Sequence, residues 1–466
     1  MKTKKSNVIL YAIYAVLNFI FVFQLLKLST LPNLYNLVII GIIAFLMLII
    51  FYSQFKKNKT FLSKAGKVLM ILLSIILLVV NVYVYRAGSF LNTISSGGTK
   101  NETVSVIVKK DSEYENLEDV QDLVFGKEDE NEEIVLEAID EFEDKLNKTI
   151  NIQEFSDYPT LANALLDDEI EVIILNEAFR NIVEDEIESF TEDTKVIYEY
   201  NKKTILKKSE VKVDKESFTV MISGIDVYGS INNNSRSDVN ILATINPVRK
   251  EVLLVSIPRD YYLPLGCQTG ALDKLTHSGI YGIDCTMETV GKALDTEIDF
   301  YARVNFNSLI NVVNAVGGVT VHVDAPFSAG EYSFPVGENY LDGPKALTFV
   351  RDRYHQEGGD RGRGKNQMKV VSALIDKMTS PAIITNYTSV LSSLEGSFQT
   401  DMSTNDITSL VKLQLNDMSG WNITEYQVDG TGASDYSYAL GHNAYVMYPD
   451  QATLDQAIAL INNTME

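Results

Sequence analysis

Cysteine and histidine are scarce: 466 residues hold two Cys and four His. With no Cys-x-x-Cys pair, that supply argues against a metal centre built on thiolates and imidazoles. Positive charge is scarce as well, 40 Lys and Arg against 62 Asp and Glu, for a formal net charge of −22. A nucleic-acid binder needs a broad basic face. This chain has no such surplus and no helix-turn-helix pattern, so no nucleic-acid partner is expected. A small basic pocket stays open. The N-terminus also lacks a small-residue cleavage site, which argues against a removed signal peptide.

Apolar sequence is abundant where those signals are missing. Residues 8–26, 34–52 and 68–85 form three runs, each about the length that crosses a bilayer as a helix. Lys2, Lys4 and Lys5 precede the first run, and Lys56, Lys57, Lys59, Lys64 and Lys67 fill the second connection, whereas the first holds only Lys27. The positive-inside rule then puts the N-terminus in the cytoplasm and everything after Arg86 outside, as a multi-pass membrane protein. Cys267 and Cys285 fall in the exported part, where oxidation is permitted; they are a disulfide candidate, with two free thiols as the alternative.

The remaining chain divides into a linker and acidic accessory domain (residues 87–213), a catalytic-type domain (214–384) and a C-terminal part that completes it (385–466), with residues 1–86 as the membrane region. In the accessory domain, strand patterns at 104–108, 150–152 and 171–175 alternate with helical spacing at 116–120, 132–142 and 159–166. That order predicts a small α/β domain with a partly parallel sheet. It weakly resembles one lobe of exported solute-binding proteins. Its many carboxylates read as a solvated surface, and Lys202 to Lys212 read as a link to the next domain.

Beyond that link, apolar strands at 219–226, 239–245 and 251–257 end or begin at Asp226, Arg236, Asp238 and Arg259. Strand ends in open sheets commonly meet at a ligand crevice. Further on, the acidic chain turns locally basic: Arg351, Arg353, Arg361, Arg363 and Lys365 are opposed only by Asp352, Glu357 and Asp360. Arginine forks beside a glycine-broken loop suit a phosphate-bearing polyanion, the alternative being a solvated charge run. A helix follows, with Met368, Val371, Leu374, Ile375 and Met378 as its buried stripe. Arg363 and Gln367 share a face near its start, where anions are favoured. After Thr385 the pattern stays globular, with a strand at 423–428, glycine-marked loops around Gly430, Gly432 and Gly441, and a closing helix at 450–461.

In order along the chain, Asp226, Arg236-x-Asp238, Ser256-Ile-Pro-Arg-Asp260, Lys274, Asn314-Ala-Val-Gly-Gly-Val319, Leu341-Asp-Gly-Pro-Lys-Ala-Leu347 and Arg351-x-Arg353 through Asp360, Arg363 and Gln367 resemble the LytR-CpsA-Psr family over residues 215–383. The three spans and the inserted domain resemble its CpsA branch. Two positions depart from the family's habit: Asn366 precedes Gln367 where Arg is usual, and Thr276 stands where Asn is common. Both read as variation away from the arginine clamp.

The resemblance implies an α/β/α domain with a central mixed sheet. It further implies an extracellular phosphotransferase that moves an anionic glycopolymer (capsular polysaccharide or wall teichoic acid) from a polyprenyl-pyrophosphate carrier to peptidoglycan, alongside capsule or cell-wall synthesis proteins. It assigns Arg236, Arg259, Arg351, Arg353, Arg363 and Gln367 to the pyrophosphate, Asp226 and Asp238 to Mg²⁺ or Mn²⁺, and catalytic roles to Arg259, Arg353 and Asp360. Asp360 would orient an arginine or act as base toward the acceptor hydroxyl. The alternatives are a membrane-bound regulator of polysaccharide synthesis and a non-catalytic binder of lipid-linked polymer.

Overall fold

The computed structural model describes residues 2–55, 61–94, 99–129, 132–205, 209–225, 234–268, 270–355, 359–380, 390, 393 and 398–466. Asp226 lies outside them.

The apolar N-terminal runs form α1 (Lys2–Leu28), α2 (Asn33–Phe55) and α3 (Phe61–Ile94). Each is long and apolar enough to cross a membrane, with mean hydropathy of 2.2, 2.8 and 2.7 over the spanning segments. Tyr14, Ile50 and Met70 are buried where the three pack together. Most other large apolar side chains here face outward, as expected of helices whose surroundings are lipid. The turn after α1 touches the C-terminal body: Lys412 Nζ donates to Ser29 Oγ at 2.8 Å.

The accessory domain runs β1 (Thr99–Lys109), β2 (Val124–Glu128), α4 (Glu133–Leu146), β3 (Asn151–Phe155), α5 (Tyr158–Leu166), β4 (Val172–Asn176), α6 (Arg180–Glu186), α7 (Phe190–Asp193) and β5 (Thr194–Ile205). Its sheet has the order β3-β2-β4-β1-β5. β2 is parallel to β3 and β4, while β1 is antiparallel to β4 and β5. β2 and β5 escaped the sequence reading. β5 shows no clean apolar alternation, with Val196, Ile197, Tyr198 and Tyr200 in its first half and polar or Lys residues from 201 to 204, and it takes up Lys202 and Lys203, read above as linker. Residues 116–120 form only a short 3₁₀ turn, capped by Asn116.

The catalytic-type domain is built on β6 (Phe218–Ile225), β7 (Val239–Asn246), β8 (Glu251–Ser256), β9 (Tyr262–Pro264), β10 (Leu272–Lys274), α8 (Leu275–Ser278), α9 (Ile283–Ala293), β11 (Phe300–Asn305) and α10 (Phe306–Ala315). Then follow β12 (Val319–Val323), β13 (Phe327–Ala329), β14 (Tyr332–Phe334), β15 (Gly337–Leu341), α11 (Gly343–Arg351) and α12 (Asp360–Thr379). The chain closes with β16 (Phe398–Thr400), α13 (Thr404–Asp417), β17 (Asn422–Gln427), β18 (Gly430–Ser437), β19 (His442–Pro449) and α14 (Gln451–Met465). The central sheet has the order β16-β11-β6-β7-β8-β17 and is mixed. β11, β6, β8 and β17 point one way, and β7 runs against them.

One face of that sheet, with Met221, Leu242 and Val255, packs against α9 and α14. The other, with Val220, Ile241 and Leu254, packs against α12 and α13. Strands buried on both faces read as continuous apolar runs, which is why β6, β7 and β8 were legible. The segment around Gly430 and Gly432 forms a hairpin rather than loops: β18 and β19 pair from Gly430↔Pro449 to Ser437↔His442. Its glycines admit close neighbours, since a Cβ on Gly430 would fall 2.4 Å from Tyr448 O. Cys267 and Cys285 form a disulfide across the β9–α9 region, with Cα atoms 5.0 Å apart.

Candidate active site

The carboxyl ends of β8 and β17, the start of β7 and the first turns of α12 converge on one small cleft. Asp238, Asn240, Ser256, Ile257, Pro258, Arg259, Asp360, Arg363, Gly364, Gln367 and Gln427 line it. The antiparallel insertion of β7 brings its N-terminal end to the same edge as the carboxyl ends of its neighbours. Asp238 N donates to Gly224 O at 2.8 Å, seating Asp238 beside the end of β6.

Arg259 pairs with Asp238 Oδ1 through Nη1. Thr276 Oγ1 donates to the same oxygen at 3.1 Å. Thr276 therefore touches the clamp, contrary to its reading as remote variation; backbone bonds explain this, because Thr276 N donates to Arg259 O at 2.8 Å. Arg259 Nε is buried without a hydrogen-bond partner, and Asp260 Oδ1 at 3.9 Å is too distant to serve. An orphaned guanidinium donor in a cleft is an anion site waiting for an acceptor.

α12 supplies the opposite wall. Gly359, with φ of +56°, turns the chain into the helix. Asp360 then sits in the first turn, and its carboxylate holds Arg363 Nη2 at 2.6 Å. Arg363 is 8% exposed. Burial lowers its pKa; Asp360 opposes that, while Arg259 and Arg353 add to it. Gly364 permits the close approach, because a Cβ there would lie 2.4 Å from Gln427 Nε2 and 2.9 Å from Ser256 Oγ. Gln367, one turn on from Arg363, faces the cleft as its spacing predicted.

Two further charged groups flank these. Burial raises the Asp260 carboxyl above the ordinary range, with Arg259 and Lys274 pulling it back. Burial lowers the Lys274 ammonium, with Asp260 opposing and Arg259 and Arg236 reinforcing. Lys274, Asp260, Asn240, Ser256, Gln427 and Thr276 were not assigned to the site from sequence. Gln427 in particular carries no local signal, since it arrives on a strand added at the sheet's far edge.

The sequence-assigned residues thus divide. Asp238, Arg259, Asp360, Arg363 and Gln367 share the cleft. Arg353 stands within electrostatic range of Arg363 but is itself exposed. Arg236 lies near Lys274, with its guanidinium on Asp185 of α6. Arg351 ends α11, exposed and outside the cleft lining. Arg361 turns away to Asp429 at 2.6 Å and Gly430 O at 2.7 Å.

Comparison with known proteins places the chain in a family. The family model described as the LytR_cpsA_psr family matches residues 183–459. The polyisoprenyl-teichoic acid–peptidoglycan teichoic acid transferase TagU of Enterococcus faecalis is 37% identical over 231 residues, 48% of this chain and 75% of that protein. TagU of Bacillus subtilis, with the same descriptive name, is 32% identical over 240 residues, 51% of this chain and 76% of that one. Among solved structures, B. subtilis TagV aligns with a TM-score of 0.46 and 28% identity, covering 54% of this chain and 98% of TagV. With the family model matching more than half its length, the chain belongs to the LytR-CpsA-Psr family.

Proposed function

We propose that this protein is a membrane-anchored phosphotransferase that moves an anionic glycopolymer from a polyprenyl-diphosphate carrier to peptidoglycan on the outer side of the membrane. The observation that carries this reading is two arginines facing one cleft, the half-buried Arg259 with a buried, unsatisfied Nε and the buried Arg363 at the start of α12. Two relatives named as teichoic acid transferases support the substrate class, teichoic acid or a comparably anionic capsular polymer. The Lys412–Ser29 contact is compatible with three spans, in which the α1–α2 turn and the catalytic domain share a side, and the lysine distribution supports the outward orientation.

In the reaction, an acceptor sugar hydroxyl attacks the phosphorus on the glycan side. Its bond to the bridging oxygen breaks, polyprenyl phosphate leaves, and a phosphodiester joins polymer to acceptor. Arg259, Arg363 and Arg353 bind the diphosphate oxygens and stabilise the charge that develops on them, with Gln367 donating a further hydrogen bond. The α12 N-terminus adds its positive end. Asp360 holds Arg363 in place. Removal of the hydroxyl proton falls to a carboxylate near the cleft, for which Asp360 and Asp260 are the candidates.

Asp238 has the hard oxygen chemistry of a divalent-ion ligand, with Oδ1 already taken by Arg259 and Thr276, and it lies beside the end of β6, whose next residue in sequence is Asp226. Asp238 and Asp226 would hold Mg²⁺ or Mn²⁺ there. Such an ion, when bound, neutralises charge on the leaving phosphate.

The test is transfer of a synthetic polyprenyl-diphosphate glycan to peptidoglycan oligomers by the full-length protein in nanodiscs, with Mg²⁺ and with a chelator. Metal-dependent release of polyprenyl phosphate, lost in Arg259→Ala, is expected. Neither release nor binding of the lipid would overturn the proposal.

A further inference from the structure

β8 ends at Ser256, which pairs with Gln427 of β17 on one side and Ile241 of β7 on the other. Its backbone is committed to the sheet, Ser256 O accepting from Val428 N at 3.2 Å. Its side chain is not committed. Ser256 lines the cleft and is 3% exposed, yet among the described residues its hydroxyl has no hydrogen-bond partner. A buried hydroxyl without a partner destabilises a fold, and native interiors seldom keep one.

The groups around it are already engaged. Ser237 holds both ends of the Asn240 amide, its carbonyl accepting from Nδ2 at 2.9 Å and its hydroxyl donating to Oδ1 at 2.8 Å. Gln427 Nε2 donates to Arg361 O at 3.0 Å. Asp238 Oδ1 takes Arg259 and Thr276, and Asp360 takes Arg363. Arg259 Nε, three residues along the chain, is a second buried donor that no acceptor meets among the described residues. Space beside the Ser256 hydroxyl depends on a glycine in α12, since a Cβ on Gly364 would fall 2.9 Å from Ser256 Oγ. The occupant that satisfies both donors is one made of acceptors.

We propose that Ser256 is a further binding residue of the diphosphate site: its hydroxyl donates to a non-bridging phosphate oxygen, beside the guanidinium groups of Arg259 and Arg363. This rests on the proposed function above. The non-bridging oxygens of an ionised diphosphate only accept, so they suit donors that the protein leaves unmet. A hydroxyl rotates to meet its acceptor, and a hydrogen bond to an anion is stronger than one between neutral groups. The other use of a serine in such a cleft is attack on phosphorus. That requires a base within hydrogen-bond reach of the hydroxyl, and Ser256 Oγ touches none among the described residues.

The experiment uses the full-length protein in nanodiscs with a short-chain polyprenyl-diphosphate glycan as probe. Kd, transfer kinetics, unfolding temperature and the mass of the quenched enzyme are read for wild type, Ser256→Ala and the exposed β14 control Ser333→Ala. Ser256→Ala is expected to weaken binding and to lower kcat/KM about tenfold. Its unfolding temperature should equal or exceed that of wild type, because the hydroxyl has no protein partner to lose. Ser333→Ala should match wild type throughout. Unaltered binding and transfer by Ser256→Ala would overturn this role alone. So would a loss matched by a lower unfolding temperature, which marks a structural hydroxyl. Phosphorylated Ser256 in the quenched wild type would overturn it as well, making the hydroxyl a nucleophile. If the wild-type protein binds no lipid diphosphate, the proposed function itself fails, and this role with it.

Discussion

Arg259 and Thr276 converge on one oxygen, Oδ1 of Asp238: the guanidinium through Nη1 and the hydroxyl at 3.1 Å. The carboxylate is thereby oriented by two donors, one just after β8 and one within α8. Replacing Arg259 by Ala removes a phosphate ligand and leaves Asp238 short of its counter-charge. Transfer activity is expected to fall at least about a hundredfold. Arg259→Lys should recover little, since an ammonium cannot present two parallel donors. Thr276→Val should cost about 1 kcal/mol in transition-state stabilisation, roughly five- to tenfold in kcat/KM. Thr276→Asn retains a donor and should stay near wild type. Steady-state transfer assays on the four variants check the ranking, and a Thr276→Val enzyme at full activity would sink it.

The arginines of residues 351–363 are not equivalent, and the geometry orders them. Arg363 is buried in the cleft wall, Arg353 is exposed but within range of it, Arg361 is committed to Asp429 and Gly430, and Arg351 is exposed outside the lining. Alanine at Arg363 should therefore cost most, about 2–4 kcal/mol in kcat/KM, with Arg353 next. Alanine at Arg351 or Arg361 should cost under about 1 kcal/mol. Gly364→Ala gives a separate check, because its methyl would press on Gln427 and Ser256 and narrow the cleft. Equal losses at Arg351 and Arg363 would contradict this ordering.

What the sequence reveals and what it hides follow from the range of the interactions. β6, β7 and β8 announce themselves as continuous apolar runs, and Arg363 and Gln367 are linked by a spacing of four. Asp238 and Arg259 are legible because each flanks a strand at the end where ligands collect. Gln427 is not, because its neighbours in the cleft come from strands far back in the chain. Lys274 and Thr276 enter on β10 and α8, a three-residue strand and a single helical turn too short for periodicity to reveal. β18 and β19 were hidden by glycine and polar residues that read as turns but are fixed by pairing with each other. The Asp185–Arg236 contact is the least legible, since it joins two domains and leaves no local trace.

The disulfide brackets residues 267–285, which contain Lys274, Thr276 and the buried pair of Asp273 with His277, 2.9 Å apart. A cross-link over a separation of 18 residues stabilises by about 3 kcal/mol through loss of unfolded-chain entropy. The double variant Cys267→Ser/Cys285→Ser should therefore unfold several degrees lower, and a reductant should shift wild type toward the same temperature. Thermal unfolding with and without dithiothreitol reads both. Identical curves would mean that the bond contributes nothing.

Asp401, just past β16, is 5% exposed and accepts from Tyr301 N at 2.9 Å. Burial raises its pKa from 3.8 to about 6, against the opposing backbone hydrogen bonds. The folded state thus holds the proton more tightly than the unfolded state. Below about pH 4 the carboxyl is protonated in both states, and folding carries no ionisation penalty there. As pH rises through about 6 the folded protein loses that advantage, so this group lowers stability across the window between the two values. Asp401→Asn keeps an acceptor for Tyr301 N and removes the charge. The variant should match wild type near pH 4 and exceed it by about 1–3 kcal/mol at pH 8. Unfolding followed at both pH values measures the difference. Parallel pH profiles for the two proteins would show that Asp401 ionises as easily folded as unfolded, and that burial at the end of β16 does not perturb it.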